Sequence, residues 1–571
     1  MKTNRWCLTL LACLLAAALP GLADDQKPAG YGPTKDQNVS VMPPEWKTAT
    51  KTRLSSAELD RILRKEQNAD KLRPSPRTTD EQFIRRVYLD LTGKLPPPTE
   101  VKAFVASAET DKRSKLIDKL LATDEFSRFQ ARYWKDVISA RATDPRIKAF
   151  GDPVFEKWLF TQLQEKKSWG QIARAMITAN GYLSPVKAEE SNGAAYLLLT
   201  SSGADGPQER AAETSRVFLG IQIQCAQCHD HPGDIWKQKQ FHELAAFFSR
   251  TRERPLREDN PSTDRTRPPR IIGIELVSLP RGEHRMPDTK DPKKTTLTLP
   301  KFLDGDSPKL NRLGSDRREA LADWVAGKEN YWFSAAFVNR VWGELMGQGF
   351  YQPVDDMGPL RAATYPQVLL KVAAHFNAAD YDMRDLYRLV MNSEAYQRQI
   401  RLGDSADKHL HFTAVYPTRL RADAIWDSLV NAVGPLQVGG PFQRPGPGGG
   451  GPLRRPLGFE ALFKATFAFD PSTKPDDVEG TIPQALLLMN NGAIQGRLSA
   501  RGNTVLAKIL TSNSNDAQAI QAVFLQVLAR KATSREQQTC LDYLKAAKNR
   551  QEGFEDIYWS LVNSTEFLTK R

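Results

Sequence analysis

Cys225, Cys228 and His229, in the run Ile223-Gln224-Cys225-Ala226-Gln227-Cys228-His229-Asp230-His231-Pro232, form a Cys-x-x-Cys-His motif. Two thiols three positions apart can add across the two vinyl groups of a haem, and the adjoining imidazole can then bind the iron as an axial ligand. Metal donors crowd the same region: Cys225, Cys228, His229, His231 and His242. Cys225, Cys228, His231 and His242 together would make a tetrahedral set of two thiolates and two imidazoles, which suits structural zinc. A plain disulfide between the two cysteines, with the histidines as polar turn residues, is the third outcome open to this spacing in an oxidising compartment. For haem, His231, His242 and Met286 are candidates for the sixth position, and spacing does not choose among them. Asp230 and Asp234 could orient the imidazoles as hydrogen-bond acceptors.

The N-terminus reads as an export signal. Lys2 and Arg5 form the positive start, Trp6 to Leu19 the apolar stretch, and Gly21-Leu22-Ala23 a small-x-small cleavage site, so the mature chain is expected to begin near Asp24, in the periplasm or secreted. No later segment approaches the ~20 apolar residues needed to cross a bilayer. Loss of Cys7 and Cys13 with the signal leaves Cys225, Cys228 and Cys540, too few for a disulfide framework, so apolar cores must supply stability. The formal charge is 80 − 67 = +13, and removal of Lys2 and Arg5 leaves 13 − 2 = +11. Such a balance favours anionic surfaces in a general way. A periplasmic redox partner or an extracellular polysaccharide fits these features; no zinc finger, RNA-recognition motif or aromatic stacking platform points to nucleic acid. The arginines between Arg250 and Arg270 are interleaved with acids and prolines and read as a solvated loop.

Elements must position the motif, and their pattern is mainly α. After the signal (1–23) and a polar tether (24–51), helical periodicity fills 52–253, a first helical domain. Glu209 to Leu219 is expected to be helical and to end at Gly220; Gln240 to Arg250 presents Phe241, Leu244, Ala245 and Phe248 on one face, with His242 offset from it. The cysteines thus sit in a turn clamped between two helices. Residues 254–312 are proline-rich and charged, a small β-containing insertion in which Ile271 to Val277 and Thr295 to Leu299 could pair. A second helical domain fills 313–571, interrupted by a glycine- and proline-rich loop at 434–458.

Val87-Tyr88-Leu89-Asp90-Leu91-Thr92-Gly93-Lys94-Leu95-Pro96, the segment from Val217 to Pro232 with Trp236 and Leu244-Ala245-Ala246-Phe247-Phe248, Val338-Asn339-Arg340-Val341-Trp342, Pro353-Val354-Asp355-Asp356 and Trp559-Ser560-Leu561-Val562-Asn563-Ser564 carry a resemblance. Together they resemble a bacterial two-domain family: a planctomycete cytochrome-c-associated domain of unknown function followed by a planctomycete-specific domain of unknown function. The resemblance spans roughly Leu54 to Arg250 and Leu313 to Arg571 and implies no particular activity. Relatives often carry histidine where Glu344 stands, and a cysteine-containing segment before the run that is here Pro483-Gln484-Ala485-Leu486. This chain departs at both places, so the resemblance implies no second metal site there.

Other chemistry-bearing residues read as structural. Asp355 and Asp356 are adjacent acids that project differently from most backbones, which favours capping and loop hydrogen bonds over a paired catalytic role. Trp324, Trp332 and Trp342 have helical spacing suited to core packing. Cys540 reads as a buried or half-buried thiol. No Gly-x-Ser-x-Gly elbow, Walker loop, His-Glu-x-x-His or dinucleotide fingerprint is present. The sequence therefore supports an exported, mainly helical protein holding haem c or a metal at Cys225, Cys228 and His229 for electron transfer or a redox-linked step. The rival is a non-enzymatic binding or assembly module, with the cysteine turn as a zinc or disulfide clip.

Overall fold

The structure, a computed structural model, describes residues 39–142, 144–201, 203, 205–258, 271–311, 316–401, 411–436 and 458–570. The segment read as an export signal, the first part of the expected tether and most of the glycine- and proline-rich tract lie outside them. The described chain is mainly α-helical, and no helix in it is long and apolar enough to cross a membrane.

Local chemistry accounts for the helix boundaries. Ser55 and Glu58 form a reciprocal capping box on the helix Ser56–Ala69, which buries Leu59, Leu63 and Gln67 at four-residue spacing. Thr79 accepts from the Gln82 N–H to start Asp80–Thr92, and Gly93, at φ 67°, stops it in the left-handed conformation that favours glycine. The helix Tyr331–Met346 is apolar on nearly every side and is buried accordingly.

Seven short strands form three antiparallel sheets among the described residues. β1 (Gly181–Leu183) and β2 (Thr251–Arg257) flank β3 (Ile271–Ser278), β4 (His284–Pro287) pairs with β5 (Thr295–Thr298), and β6 (Thr418–Arg419) with β7 (Thr569–Lys570). This corrects two expectations. The segments beginning at Ile271 and Thr295 do not pair with each other, because β4 lies much closer in sequence to β5 and closes a shorter loop. Asp288 tightens that loop by accepting from the Lys290 and Asp291 N–H groups. The arginine-rich run, read as a solvated loop, begins as β2: Arg254 pairs across the sheet with Glu275 at 2.7 Å, while Arg210 reaches Glu253 from the adjoining helix.

The tether also ends earlier than expected. Trp46 is fully buried, donates to the Glu329 carbonyl at 3.0 Å and packs edge-on against Tyr331, while Trp332 donates to the Val41 carbonyl. One apolar core runs through both halves of the chain. Its centre is an aromatic seam in which Phe337 stacks on Trp134 at 5.7 Å and on Phe376 at 4.8 Å. Trp332 and Trp342 are buried in this core, and half-buried Trp324 donates to Asp304.

Candidate functional site

The helix leading to the motif changes character before it ends. Gly206–Thr214 is α-helical, but Ser215–Leu219 widens into a π turn and stops at Gly220, φ 68°. A π turn shifts the register of the groups that follow it and is frequent beside functional sites. Gly220 serves a second purpose, since its carbonyl accepts from the Met357 N–H at 2.8 Å and a Cβ there would lie 2.6 Å from the Met357 sulfur. The chain then turns through Gln224–Gln227, a 3-10 turn that contains Cys225 and delivers Cys228 at its end.

Cys225 and Cys228 are free thiols, and both are exposed. Ala226 between them is buried, its N–H bonded to the Ile223 carbonyl, so the turn is pinned from within while its sulfur-bearing residues face outward. His229 is exposed as well, with Nδ1 2.8 Å from the Asp230 carbonyl oxygen. A carbonyl can only accept, so in the neutral ring Nδ1 carries the proton and Nε2 keeps its lone pair. This is the tautomer a Nε2 metal ligand requires, held by the kind of outer contact that usually fixes ligating histidines.

The other histidines are placed differently. His231 is buried, and its Nδ1 accepts from the Gly233 N–H at 3.1 Å. His242 is buried beneath the turn: Nε2 lies 2.9 Å from the Gln227 carbonyl and Nδ1 lies 2.8 Å from Nε2 of His284. The Gln227 carbonyl accepts a hydrogen bond from the His242 Nε2–H, so Nδ1 must accept from His284, and no nitrogen of His242 remains for a metal. Burial lowers the basicity of both rings, that of His284 to about 4, with His242 adding to the effect there. Both rings are thereby kept neutral, as this bonding pattern needs. Met286 is half-buried on the same face of β4 as His284. Among the described residues no three His, Cys, Asp or Glu side chains form a metal-holding group.

The two aspartates next to the motif hold backbone. Asp230 serves His229 through its carbonyl, while its carboxylate accepts from the Gln238 N–H and from Lys237 at the start of Gln238–Ala245. Asp234, expected to orient an imidazole, instead accepts from the Ile235 and Leu360 N–H groups. The turn is thus braced on both sides.

Two charged clusters were not expected from the sequence, and the first replaces the capping and loop role expected of Asp355. Arg216, in the π turn, is fully buried; it grips Glu213 through two nitrogens and lies 3.3 Å from Asp355, which Arg340 approaches at 3.7 Å and Gln222 reaches at 3.0 Å. Burial would raise the Asp355 carboxyl, but Arg340 and Arg216 outweigh it and hold the group below its usual range. Adjacent Asp356 points elsewhere, to Arg361.

The second cluster lines a cavity of about 110 Å3 between the halves, where Asp90 pairs with Lys570 and Glu344 accepts from Tyr387 at 2.8 Å. Burial pushes the Glu344 carboxyl up, and nearby Arg421 and Lys570 offset this only in part. The available signal was a carboxylate inside an apolar helical stripe: Glu344 follows Phe337 and Val341, and Asp90 follows Phe83 and Val87, at seven and three residues.

Two family models match the chain: PSCyt2, a protein of unknown function (DUF1549), over residues 58–253, and PSD1, a protein of unknown function (DUF1553), over residues 317–450. No curated protein and no solved structure matches it. The Cys-x-x-Cys-His turn falls within the first match, and Glu344 and Asp355 fall within the second. The chain therefore belongs to the two-domain family that joins a PSCyt2 domain to a PSD1 domain.

Proposed function

We propose that this is an exported haem c protein in which Cys225 and Cys228 form the thioether links and His229 is the axial ligand. The observation that carries this reading is the state of the turn: two free exposed thiols beside an exposed imidazole whose Nδ1 contact leaves Nε2 as the ligating nitrogen. The bound group would supply a one-electron carrier, with its potential set by the axial ligand and the surroundings. The protein's own part is positional. Ala226, Gln238 and His242 hold the turn from below, and the Asp230 carbonyl fixes the imidazole. A zinc clip that drew on His242 would have to pull it away from Gln227 and His284, which already engage both of its nitrogens. An exposed turn suits transfer to a partner docking in the same compartment.

The test is the thioether count. Protein exported alongside haem-attachment machinery should give the pyridine haemochrome band of a doubly linked haem. Cys225→Ser should shift that band to the position of a single link, and His229→Ala should keep the covalent haem while changing the axial-ligand spectrum. Unchanged spectra in both variants would rule the assignment out.

A further inference from the structure

A cationic excess lies away from the cysteine turn, where the helix Ser56–Ala69 meets the segment 392–398. A cleft of about 520 Å3 opens there, within the size range of small-ligand sites. Its walls include Arg64, Arg77 and Arg398 against one acid, Glu394, and the rest is polar apart from Pro74. Arg64 pairs with Glu394, Arg398 approaches the same carboxylate only to 4.0 Å, and Arg77 donates to the Gln397 side chain at 2.6 Å.

The second row adds to the excess. Arg113 donates to the same Gln397 oxygen and is itself neutralised by Asp80, which also serves Lys112. Arg86, fully buried, donates to the Arg398 and Tyr396 carbonyls. Five arginines, Arg64, Arg77, Arg86, Arg113 and Arg398, thus surround Gln397 and its chain neighbours, and Asp80, Glu394 and Asp60 are among the acids near them. Buried Arg398 loses basicity first through desolvation, and Arg64 adds to the loss while Glu394 and Asp60 oppose it. Cations this crowded gain free energy from an anion that supplies the missing charge. The forks of Arg64 and Arg77 can take a planar acid group bidentately. Asn68, Asn392 and Gln397 add paired donors and acceptors suited to hydroxyls. No aromatic or aliphatic wall other than Pro74 offers an apolar ligand a surface.

We propose that this cleft binds an anionic saccharide, a short run of sugar units bearing carboxylate or sulfate groups. The proposal does not depend on haem at the cysteine turn.

The test is calorimetry on the full chain, with trigalacturonate and dextran sulfate as probes and maltotriose as the uncharged match. Binding of both anionic probes and not maltotriose is expected. The double substitution Arg64→Gln/Arg77→Gln should weaken it by about tenfold or more. Lys545→Gln/Lys548→Gln removes the same charge from a distant surface and should leave binding unchanged. Asn68→Asp, which adds one negative charge at the rim without removing an ion pair, should weaken binding as well, and serves if the arginine pair fails to fold. Equal weakening by the distant lysine pair would reduce the effect to net charge and overturn the site. Full competition by equimolar inorganic phosphate, or equal binding of maltotriose, would overturn the saccharide.

Discussion

The Arg216 guanidinium, on the helix that delivers the cysteine turn, lies 3.3 Å from the Asp355 carboxylate in the C-terminal half, and both side chains are 1% exposed. With Glu213 and Arg340 they form a sealed ionic lock between the two matched domains. Removing one partner leaves buried charge unpaired, which costs about 3–5 kcal/mol. Asp355→Ala should lower unfolding free energy by that amount in chemical denaturation. A loss below about 1 kcal/mol would place the lock among ordinary surface pairs.

Gly220 couples the same two halves through its backbone. A side chain there meets both the positive φ and the Met357 sulfur, so Gly220→Ala should destabilise the chain by about 1–2 kcal/mol. Gly492, which has open space and no positive φ, is the matched control and should tolerate alanine far better.

Reactivity should separate the described cysteines. Burial pushes the Cys540 thiol up to about 11, so it is almost wholly protonated near neutrality, whereas Cys225 and Cys228 are exposed. Brief alkylation of haem-free protein at pH 8 should label the latter two and spare Cys540, as read by peptide mass spectrometry.

Asp60 gives the fold a pH signature. Burial, opposed by the Glu394 N–H and reinforced by the Glu394 carboxylate, raises its carboxyl to about 6 from 3.8. The sign follows from a folded value above the unfolded one: the contribution is complete below about 3.8 and is lost as pH rises through 6. Asp60→Asn keeps an acceptor for Glu394 and should therefore raise the melting temperature at pH 7.5 relative to pH 4. Because the group is partly solvated, the gain should stay within about 1 kcal/mol.

Much of the architecture was readable from periodicity and caps. Thr79 and Gly93 bound a helix as their types require, and the cysteine turn does sit between helical segments. The failures have physical causes. Trp46 lies in a polar, proline-bearing stretch with no period, yet one large aromatic ring suffices to dock it. β2 went unseen because its arginines and glutamates are satisfied by partners distant in sequence, Glu275 and Arg210. The π turn and the Arg216–Asp355 pair depend on contacts between the halves, which no local pattern encodes. At the site itself, spacing identified Cys225, Cys228 and His229 as donors but could not tell that His242 would be spent on Gln227 and His284.

The most direct measurement is the intact mass and visible spectrum of the full-length protein recovered from a host that exports it and attaches haem c. The account predicts one haem per chain, retained under denaturing conditions, with a Soret band that shifts on reduction. A colourless product whose Cys225 and Cys228 both alkylate after denaturation would contradict it.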